Sequence, residues 1–257
     1  MIDVRMFGPL RIHDEQGTCL QVDFCGNKPR LVFMLLAVKL GSTVSKDRLA
    51  ELLWQGNPPP SWRSTLEGYV SLMRKGLATA GESACAAGSV IISERGGYRL
   101  DADRVDTDLA RFTRLAAEAR STDSTRALAL LTGALELARA EVMEGERNLP
   151  WITETRDRYQ QDVHHAAVRA GHLSLAVGDL DAAALFGKVA RDLDPLAEDG
   201  WHISIESDWR ANRRTDALRS FSALRKLLDR ELGVVPCRSL QQLFTQVLRD
   251  EPLALTA

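Results

Sequence analysis

Residues 61–80 have the sequence SWRSTLEGYVSLMRKGLATA, in which the apolar side chains recur at the spacing of a helix. At ~100° per residue, four of them lie within about 40° of one another and predict one buried stripe. They are Leu66, Val70, Met73 and Leu77. The opposite face carries Ser61, Ser64, Gly68, Ser71 and Lys75, with Thr65 and Leu72 at its edge. Because small side chains allow a close approach, this face fits either a DNA groove or a neighbouring domain.

Two shorter helices are predicted before this one. Residues 31–38 place apolar side chains at i, i+3, i+4 and i+7, which predicts an amphipathic helix. Ser45 is a good N-cap for a second helix, and Val44 and Leu49 have the spacing of a hydrophobic staple. The glycine and prolines of residues 56–60 then end that helix.

Strands are predicted on both sides of these helices. Residues 2–6 and 20–24 alternate apolar and polar side chains, as half-buried strands do. Residues 90–92 and 98–100 flank a turn with the sequence ERGG at residues 94–97, and together they predict a hairpin. Strands, three helices and a terminal hairpin are the order of a winged helix, in which the third helix enters a DNA groove and the hairpin is the wing.

Four aspartates follow the hairpin, namely Asp101, Asp103, Asp106 and Asp108. A calcium loop would also use a glycine and a terminal bidentate glutamate, and this segment has neither. We therefore favour a solvated linker in which Asp106 caps the next helix.

Every later segment has the pattern of a helix. Seven helices are predicted, at residues 109–119, 126–140, 152–177, 181–193, 197–210, 216–232 and 239–248. Asp181-Ala182-Ala183 recurs 35 residues later as Asp216-Ala217-Leu218, close to the ~34-residue period of tetratricopeptide repeats. The sequence thus predicts a mixed fold. An α/β winged helix-turn-helix with a small antiparallel sheet precedes an all-α, tetratricopeptide-like domain that offers grooves to protein partners.

The composition narrows the class of protein. The chain has 257 residues and no run of about 18 apolar side chains that would cross a bilayer. Its start, MIDVRMFGPL, lacks the basic and continuously apolar stretches of a signal peptide. The four cysteines, Cys19, Cys25, Cys85 and Cys237, are scattered without CxxC spacing. That scatter argues against a disulfide framework or a zinc ribbon and favours a reducing cytoplasm.

The charge is unevenly distributed along the chain. Residues 28–75 hold eight bases and three acids, a net charge of +5 (8 − 3) within a chain of net charge −2. A locally basic segment is either a phosphate-binding face or a solvated helical surface.

Motifs for catalysis and for cofactors are absent from the sequence. It contains no GxxxxGK[ST], GxGxxG, HExxH or GxSxG. His165 and His172 lie two helical turns apart, too far for an i, i+4 metal pair, and no cysteine is nearby. We therefore expect no enzyme activity, no cofactor and no metal ion.

Seven stretches of the chain are characteristic in combination. In the first half they are MIDVRMFGPLRI, PRLVFMLLAVKLGSTVSKDRLAELLW, RSTLEGYVSLMRKGL and GGYRLDADRVDTDLARF. In the second half they are ALALLTGALELA, LDPLAEDGW and DALRSFSALRKLLDRELGVVPCRSLQQLFTQVLR. Together they resemble the Streptomyces antibiotic regulatory protein family, whose members join an OmpR-type winged helix to a bacterial transcriptional activation domain. The resemblance covers nearly the whole chain.

The resemblance implies a transcription activator with a DNA-binding domain at residues 1–104 and an activation domain at residues 105–257. Such a protein would bind direct repeats in double-stranded promoter DNA as a homodimer. It would recruit RNA polymerase holoenzyme, including the principal sigma factor, and control a secondary-metabolite gene cluster. It would act in the cytoplasm without contact with a membrane.

The resemblance also implies which side chains contact DNA. On the third helix they are Arg63, Ser64, Thr65, Ser71, Arg74 and Lys75, and in the wing the contact is Arg95. Lys75 lies at the centre of the face opposite the core stripe, and Arg63 and Arg74 lie to one side, within reach of phosphates.

This chain departs from the family pattern at two positions of that helix. Leu72 replaces a basic residue, and Glu67 stands where a polar or basic residue is usual. An acid near phosphates is repulsive. A second hypothesis is therefore a tetratricopeptide-like protein-interaction adaptor whose winged helix has weak DNA affinity.

Overall fold

The structure is a computed structural model that describes residues 1–80, 90–147 and 149–249. Cys85 lies outside the described residues. The chain divides into two compact units. The first consists of Met1–Arg114 and Leu137–Arg156, and the second of Leu115–Glu136 and the chain from Asp157 onward.

Six strands and ten α-helices follow one another in the described residues. The elements of the amino-terminal part are β1 (Ile2–Arg5), β2 (Arg11–His13), α1 (Asn27–Val38), β3 (Val44–Ser45), α2 (Lys46–Trp54), α3 (Trp62–Ala80), β4 (Ile91–Glu94), β5 (Gly97–Leu100) and β6 (Val105–Thr107). The remaining helices are α4 (Asp108–Glu118), α5 (Ser124–Leu137), α6 (Pro150–Val177), α7 (Leu180–Leu193), α8 (Glu198–Arg210), α9 (Arg214–Leu232) and α10 (Arg238–Arg249). None of these described helices is apolar enough over a sufficient length to cross a membrane.

Helix α3 buries the stripe that its sequence predicts. Leu66, Val70, Met73 and Leu77 are each at most 1% exposed. They lie where α3 packs against α1 and α2. Burial of one such side chain stabilises the fold by about 1.5–3 kcal/mol, so the stripe determines how α3 is rotated about its axis.

The wing is a three-stranded antiparallel sheet with the order β3-β5-β4. Glu94 pairs with Gly97, which leaves Arg95 and Gly96 as a two-residue turn. Gly96 has a φ of +88°, a conformation that glycine adopts without the steric penalty of a side chain. The predicted hairpin is confirmed. So is the predicted cap of α2, because Ser45 Oγ accepts a hydrogen bond from the Arg48 N–H at 3.1 Å.

A second sheet has the order β2-β1-β6. Strand β1 is antiparallel to β2 and parallel to β6, with Ile2 opposite Val105. A parallel pair needs a long connection between its strands, and here the connection includes all three helices and the wing.

The strand predicted at residues 20–24 is wrong, because these residues, all of them described, join neither sheet. Phe24 instead packs on Phe33 of α1, with ring centroids 5.3 Å apart. The backbone at Asp23 passes so close to α3 that only a glycine, Gly76, fits at the crossing. Leu20 still donates its N–H to the Ile12 carbonyl of β2 at 2.7 Å, but the alternation at Val22 and Phe24 reflects packing on helices.

The solvated linker and the helix cap predicted at Asp106 are also wrong. Asp106 is buried in β6 and accepts hydrogen bonds from Arg111 at 2.9 Å and from Arg114 at 3.2 Å. Burial opposes the ionisation of Asp106, but the bonds from the two arginines outweigh it and lower the pKa of this carboxyl. Thr107 caps α4, since its hydroxyl oxygen accepts the N–H of Ala110 at 3.0 Å.

Asp108 holds the end of β1. It is 3% exposed, and its carboxylate accepts the backbone N–H groups of Met6 and Phe7, each at 2.8 Å. Burial raises the pKa of Asp108 to about 6, against the opposing effect of these N–H groups. The carboxylate thus accepts hydrogen bonds from two backbone N–H groups, and its burial removes it from water.

The segment Leu137–Arg156 extends the same backbone network. The Met143 N–H donates to the Met6 carbonyl at 2.7 Å, and the Gly8 N–H donates to the Glu141 carbonyl at 2.8 Å. These bonds pair the polar backbone that follows β1. They explain why this segment belongs to the first compact unit.

In the second unit, helices pack in consecutive pairs. Helix α7 packs on α8, and α9 packs on α10, the tetratricopeptide-like arrangement predicted from the 35-residue repeat. Ala217 of the repeat is 0% exposed, whereas its counterpart Ala182 is half-buried beside Ala183, which is also 0% exposed. Helices α7 and α8 approach closely at Gly187, where a Cβ would lie only 3.1 Å from the Gly200 carbonyl oxygen.

The first testable prediction compares two glycines of α3. A Cβ at Gly76 would overlap the Asp23 carbonyl oxygen, whereas a Cβ at Gly68 would meet nothing within 4 Å. We expect Gly76→Ala to lower the free energy of unfolding by about 1–3 kcal/mol. Gly68→Ala, the matched control, should raise it by about 0.5–1 kcal/mol, since alanine favours the helix. Urea unfolding followed by circular dichroism measures both values. Equal effects of the two substitutions would contradict the crossing at Gly76.

The second prediction concerns Asp108. Its folded-state pKa of about 6 lies above the unfolded value, so the folded chain binds the additional proton at intermediate pH. Stability from this group is therefore greatest at low pH and falls as the pH rises through about 6. The unfolding free energy of the wild type, relative to Asp108→Asn, should fall by about 1 kcal/mol between about pH 5 and about pH 7. Because other titrating groups cancel in this difference, an unchanged difference would show that the carboxyl pKa is not raised.

Candidate nucleic-acid interface

The face of α3 opposite its buried stripe is exposed. Ser64, Gly68, Ser71 and Lys75 all lie on it and are exposed. The Ser64 and Thr65 hydroxyls donate to the Ser61 carbonyl at 2.9 and 3.0 Å, so each retains an oxygen that can accept a bond. Within the described part of the chain, the Lys75 ammonium is in no ion pair. The face combines small size, hydroxyl groups and one unpaired positive charge.

The flank of α3 towards α2 carries two ion pairs. Arg63 lies 3.6 Å from Asp47, and both side chains are largely exposed. The Lys46 ammonium donates to Glu67 Oε1 at 2.7 Å, and this hydrogen bond raises the pKa of Lys46. The acid that the sequence placed near phosphates therefore has its charge balanced within the protein.

Arg74 joins α3 to the wing. Its Nη2 donates to the Ile91 carbonyl at 2.7 Å and to Ser93 Oγ at 2.9 Å, and its Nε donates to the same carbonyl at 3.3 Å. The guanidinium is thus oriented by strand β4, beside the exposed face and not at its centre. Of the seven side chains predicted to contact DNA, Arg74 is the one most strongly hydrogen-bonded to the rest of the protein.

Arg95 lies apart from the helix residues, at the tip of the wing. Its side chain is exposed in the two-residue turn. Next to this turn, Glu94 accepts hydrogen bonds from Thr43 and from Arg99, and these bonds lower the pKa of Glu94. Because Glu94 is paired with Arg99, Arg95 is the exposed charge of the turn itself.

The structure brings together side chains that the sequence did not mark as a group. Lys46 follows the N-cap Ser45, and its ammonium lies 5.5 Å from the centre of the Tyr98 ring in the wing. Lys28 lies 4.9 Å from the Trp54 ring centre, and Trp54 stacks on Tyr69 of α3 with centroids 6.3 Å apart. A lysine directly after a helix cap, in a segment of net positive charge, is the signal that would have identified Lys46.

The described residues contain no group of three or more metal-ligating side chains. His164, on α6, has its Nδ1 atom 3.1 Å from the Ala190 carbonyl oxygen. His172 and His202 have ring centroids 6.4 Å apart. His164 therefore contacts the backbone of α7, and the rings of His172 and His202 lie near each other between α6 and α8.

Large apolar side chains are exposed where the helix pairs of the second unit turn. They are Leu196, between α7 and α8, and Leu232, Val234 and Val235, around the end of α9. The N–H of Cys237 donates to Glu198 Oε2 at 2.7 Å and so holds the two turns together. This apolar surface is distinct in chemistry from the cationic face of α3.

Comparison with known proteins matches both halves of the chain. The family model of the bacterial transcriptional activator domain matches residues 107–248. Regulatory protein DnrI of Streptomyces peucetius is 32% identical, over 98% of this chain and 93% of its own. Transcriptional regulator RedD of Streptomyces coelicolor is 29% identical, over 98% of this chain and 72% of its own.

A solved structure has a similar fold. It is that of Mycobacterium tuberculosis EmbR in complex with a low-affinity phosphopeptide. The TM-score is 0.78 at 25% sequence identity, and the match covers 98% of this chain and 66% of that chain. The winged helix followed by tetratricopeptide-like helices is therefore an architecture that a known regulator shares.

The third prediction tests the bonds between Arg74 and the wing. Arg74→Ala removes charge-assisted hydrogen bonds to Ile91 and Ser93, each worth about 1.5–3 kcal/mol when well formed. We expect faster amide hydrogen exchange in β4 and β5, with α1 unchanged. Arg48→Ala is the control, because it removes an exposed arginine whose partner, Glu51, is on the same helix. Unchanged exchange in the hairpin would mean that Arg74 does not hold the wing.

Proposed function

Because the chain belongs to the Streptomyces antibiotic regulatory protein family, we propose that it is a DNA-binding transcription activator. It binds direct repeats in double-stranded promoter DNA and recruits RNA polymerase holoenzyme, including the principal sigma factor. The gene set that it controls is a secondary-metabolite cluster, and it acts in the cytoplasm.

The observation that carries the proposal is the exposed face of α3 beside a wing with a cationic tip. A recognition helix needs a buried side that fixes its rotation and an exposed side that enters the major groove. Helix α3 has a buried stripe and an exposed opposite face. The hydrogen bond from Arg74 to the Ile91 carbonyl holds the hairpin beside this helix. In the proposed complex, Arg95 in the turn of the hairpin is a second point of contact with the backbone of the DNA.

Each predicted contact has a chemical role in this proposal. Lys75, Arg63 and Arg95 pair with phosphates, which set affinity and register. Ser64, Thr65 and Ser71 offer hydroxyls to phosphates or to base edges. Arg74 supports the wing through its hydrogen bonds to β4, and its positive charge lies beside the phosphate backbone of the DNA.

Activation is assigned to the helical half of the chain, with the division of labour at about residue 104 as the family pattern implies. The exposed apolar side chains Leu196, Leu232, Val234 and Val235 supply a surface that fits a protein partner. Two copies bound side by side on direct repeats would present two such surfaces to the polymerase. The proposal includes no catalytic step.

The competing function, an adaptor with weak DNA affinity, depended on Leu72 and Glu67. The Lys46–Glu67 ion pair offsets the repulsion between Glu67 and phosphates, and the Leu72 side chain is half-buried. These two observations favour DNA binding over the adaptor.

The fourth prediction tests the orientation of α3. Lys75→Ala removes the cation at the centre of the exposed face, so binding should weaken on every DNA sequence. The slope of log K against log salt should also become shallower by about one phosphate contact. Fluorescence anisotropy at several salt concentrations measures this, with DNA flanking the protein's own gene and with scrambled DNA. The control is Lys226→Ala, which removes an exposed lysine of α9.

If Lys75→Ala changes neither affinity nor slope, α3 is not in the groove and the adaptor function is favoured. Recruitment is tested separately, by transcription with purified holoenzyme. The wild type should raise the output of the bound promoter, and Lys75→Ala should require a higher concentration for the same output. A wild type that binds the promoter without raising its output would exclude activation while leaving DNA binding intact.

A further inference from the structure

The ion pair between Lys46 and Glu67 has a role beyond balancing charge. We infer that Glu67 is a specificity-determining residue that accepts a hydrogen bond from the N4 amino group of a cytosine in the major groove. Lys46 is its positioning residue. The inference rests on the proposed binding of α3 to DNA.

Glu67 is placed where base edges would lie. It is the sixth residue of α3, and residues in the amino-terminal part of a recognition helix are those that contact bases. Its side chain is 55% exposed. Ser64 and Ser71 stand one turn before and one turn after it, and both are exposed. Glu67 is therefore a long side chain with a hydrogen-bond acceptor at its end, and it lies between two short hydroxyl side chains.

The chemistry of a carboxylate selects among the four bases. An ionised carboxylate only accepts hydrogen bonds. In the major groove, guanine presents the acceptors N7 and O6, and thymine presents the acceptor O4 and a methyl group. Adenine has the donor N6, but its neighbouring N7 would repel a negative charge. Cytosine N4 is the donor that suits a carboxylate best.

Lys46 makes this interaction compatible with the surrounding phosphates. Its Nζ donates to Glu67 Oε1 at 2.7 Å. Because a carboxylate has acceptor sites on both oxygens, Oε2 can accept the hydrogen bond from cytosine N4. Lys46 is itself only 28% exposed and lies against the Tyr98 ring. Glu67 is thus held from outside its own helix, between α2 and the wing.

The pair Arg48–Glu51 shows what an ordinary surface ion pair looks like in the same unit. The two charges are 2.7 Å apart, belong to one helix and are both more than half exposed. Among the described residues, no aromatic ring lies over the Arg48 guanidinium. Glu51 therefore provides a matched control, with the same side chain and a similar exposure.

The experiment is selection from a randomised double-stranded DNA library by the full chain. The wild type should enrich a motif with a cytosine at one position that becomes degenerate in Glu67→Ala. Glu67→Gln should change that position to adenine, since glutamine pairs with adenine N6 and N7. On single duplexes, replacing the cytosine should weaken wild-type binding by about 5- to 100-fold and should affect Glu67→Ala little.

Two further variants separate specificity from stability. Glu51→Gln should keep the wild-type motif. Lys46→Gln should reduce discrimination at the cytosine position, and Lys46→Arg should restore it. Thermal unfolding establishes that each variant is folded.

The outcomes distinguish the inference from the proposed function. If the wild type and Glu67→Ala enrich the same motif with the same cytosine preference, the inference is wrong and DNA binding stands. If the wild type enriches no motif, the proposed function fails and the inference fails with it. A preference that moves from cytosine in the wild type to adenine in Glu67→Gln supports both.

Discussion

Burial of one stripe of α3 is the constraint from which the arrangement of the first unit follows. Leu66, Val70 and Met73 are almost fully buried, and exposing any one of them would cost about 1.5–3 kcal/mol. Helix α3 therefore cannot rotate about its axis, and the side chains opposite the stripe must face outward. The exposed hydroxyls and Lys75 are a consequence of where the apolar residues stand.

Features of local periodicity could be predicted from the sequence, and features of distant pairing could not. The stripe of α3, the hairpin around Gly96 and the recurrence of Asp181-Ala182 as Asp216-Ala217 all follow from spacing within one element or one repeat. Asp106 and Asp108 acquire their roles from distant partners, since Asp108 binds the N–H of Met6, 102 residues earlier. Nothing in the local pattern of acids identifies such a partner, which explains why a solvated linker was the wrong prediction.

The positive charge of residues 28–75 is another case in which the sequence does not reveal which side chains are paired. Five of its eight bases form ion pairs or hydrogen bonds within the protein: Arg30 with Glu146, Lys46 with Glu67, Arg48 with Glu51, Arg63 with Asp47, and Arg74 with β4. Lys75 lies on the face of α3 with no ion pair among the described residues. Net charge is a property of the sequence, but the identity of the available cations is a property of the fold. The predicted contacts thus divide into those that the fold already uses and those that it leaves exposed.

An ion-paired side chain can contribute to sequence recognition in a way that an unpaired cation cannot. A helix with only unpaired cations would bind the phosphates of any DNA, because that attraction is independent of sequence. Discrimination requires acceptors or donors directed at base edges. A carboxylate can serve this purpose near phosphates only if its charge is balanced nearby and its position is fixed. In this protein a lysine of α2 balances the charge and an aromatic ring of the wing supports that lysine. The packing of α2, α3 and the wing into one unit is therefore what would allow an acid to lie on a DNA-binding face.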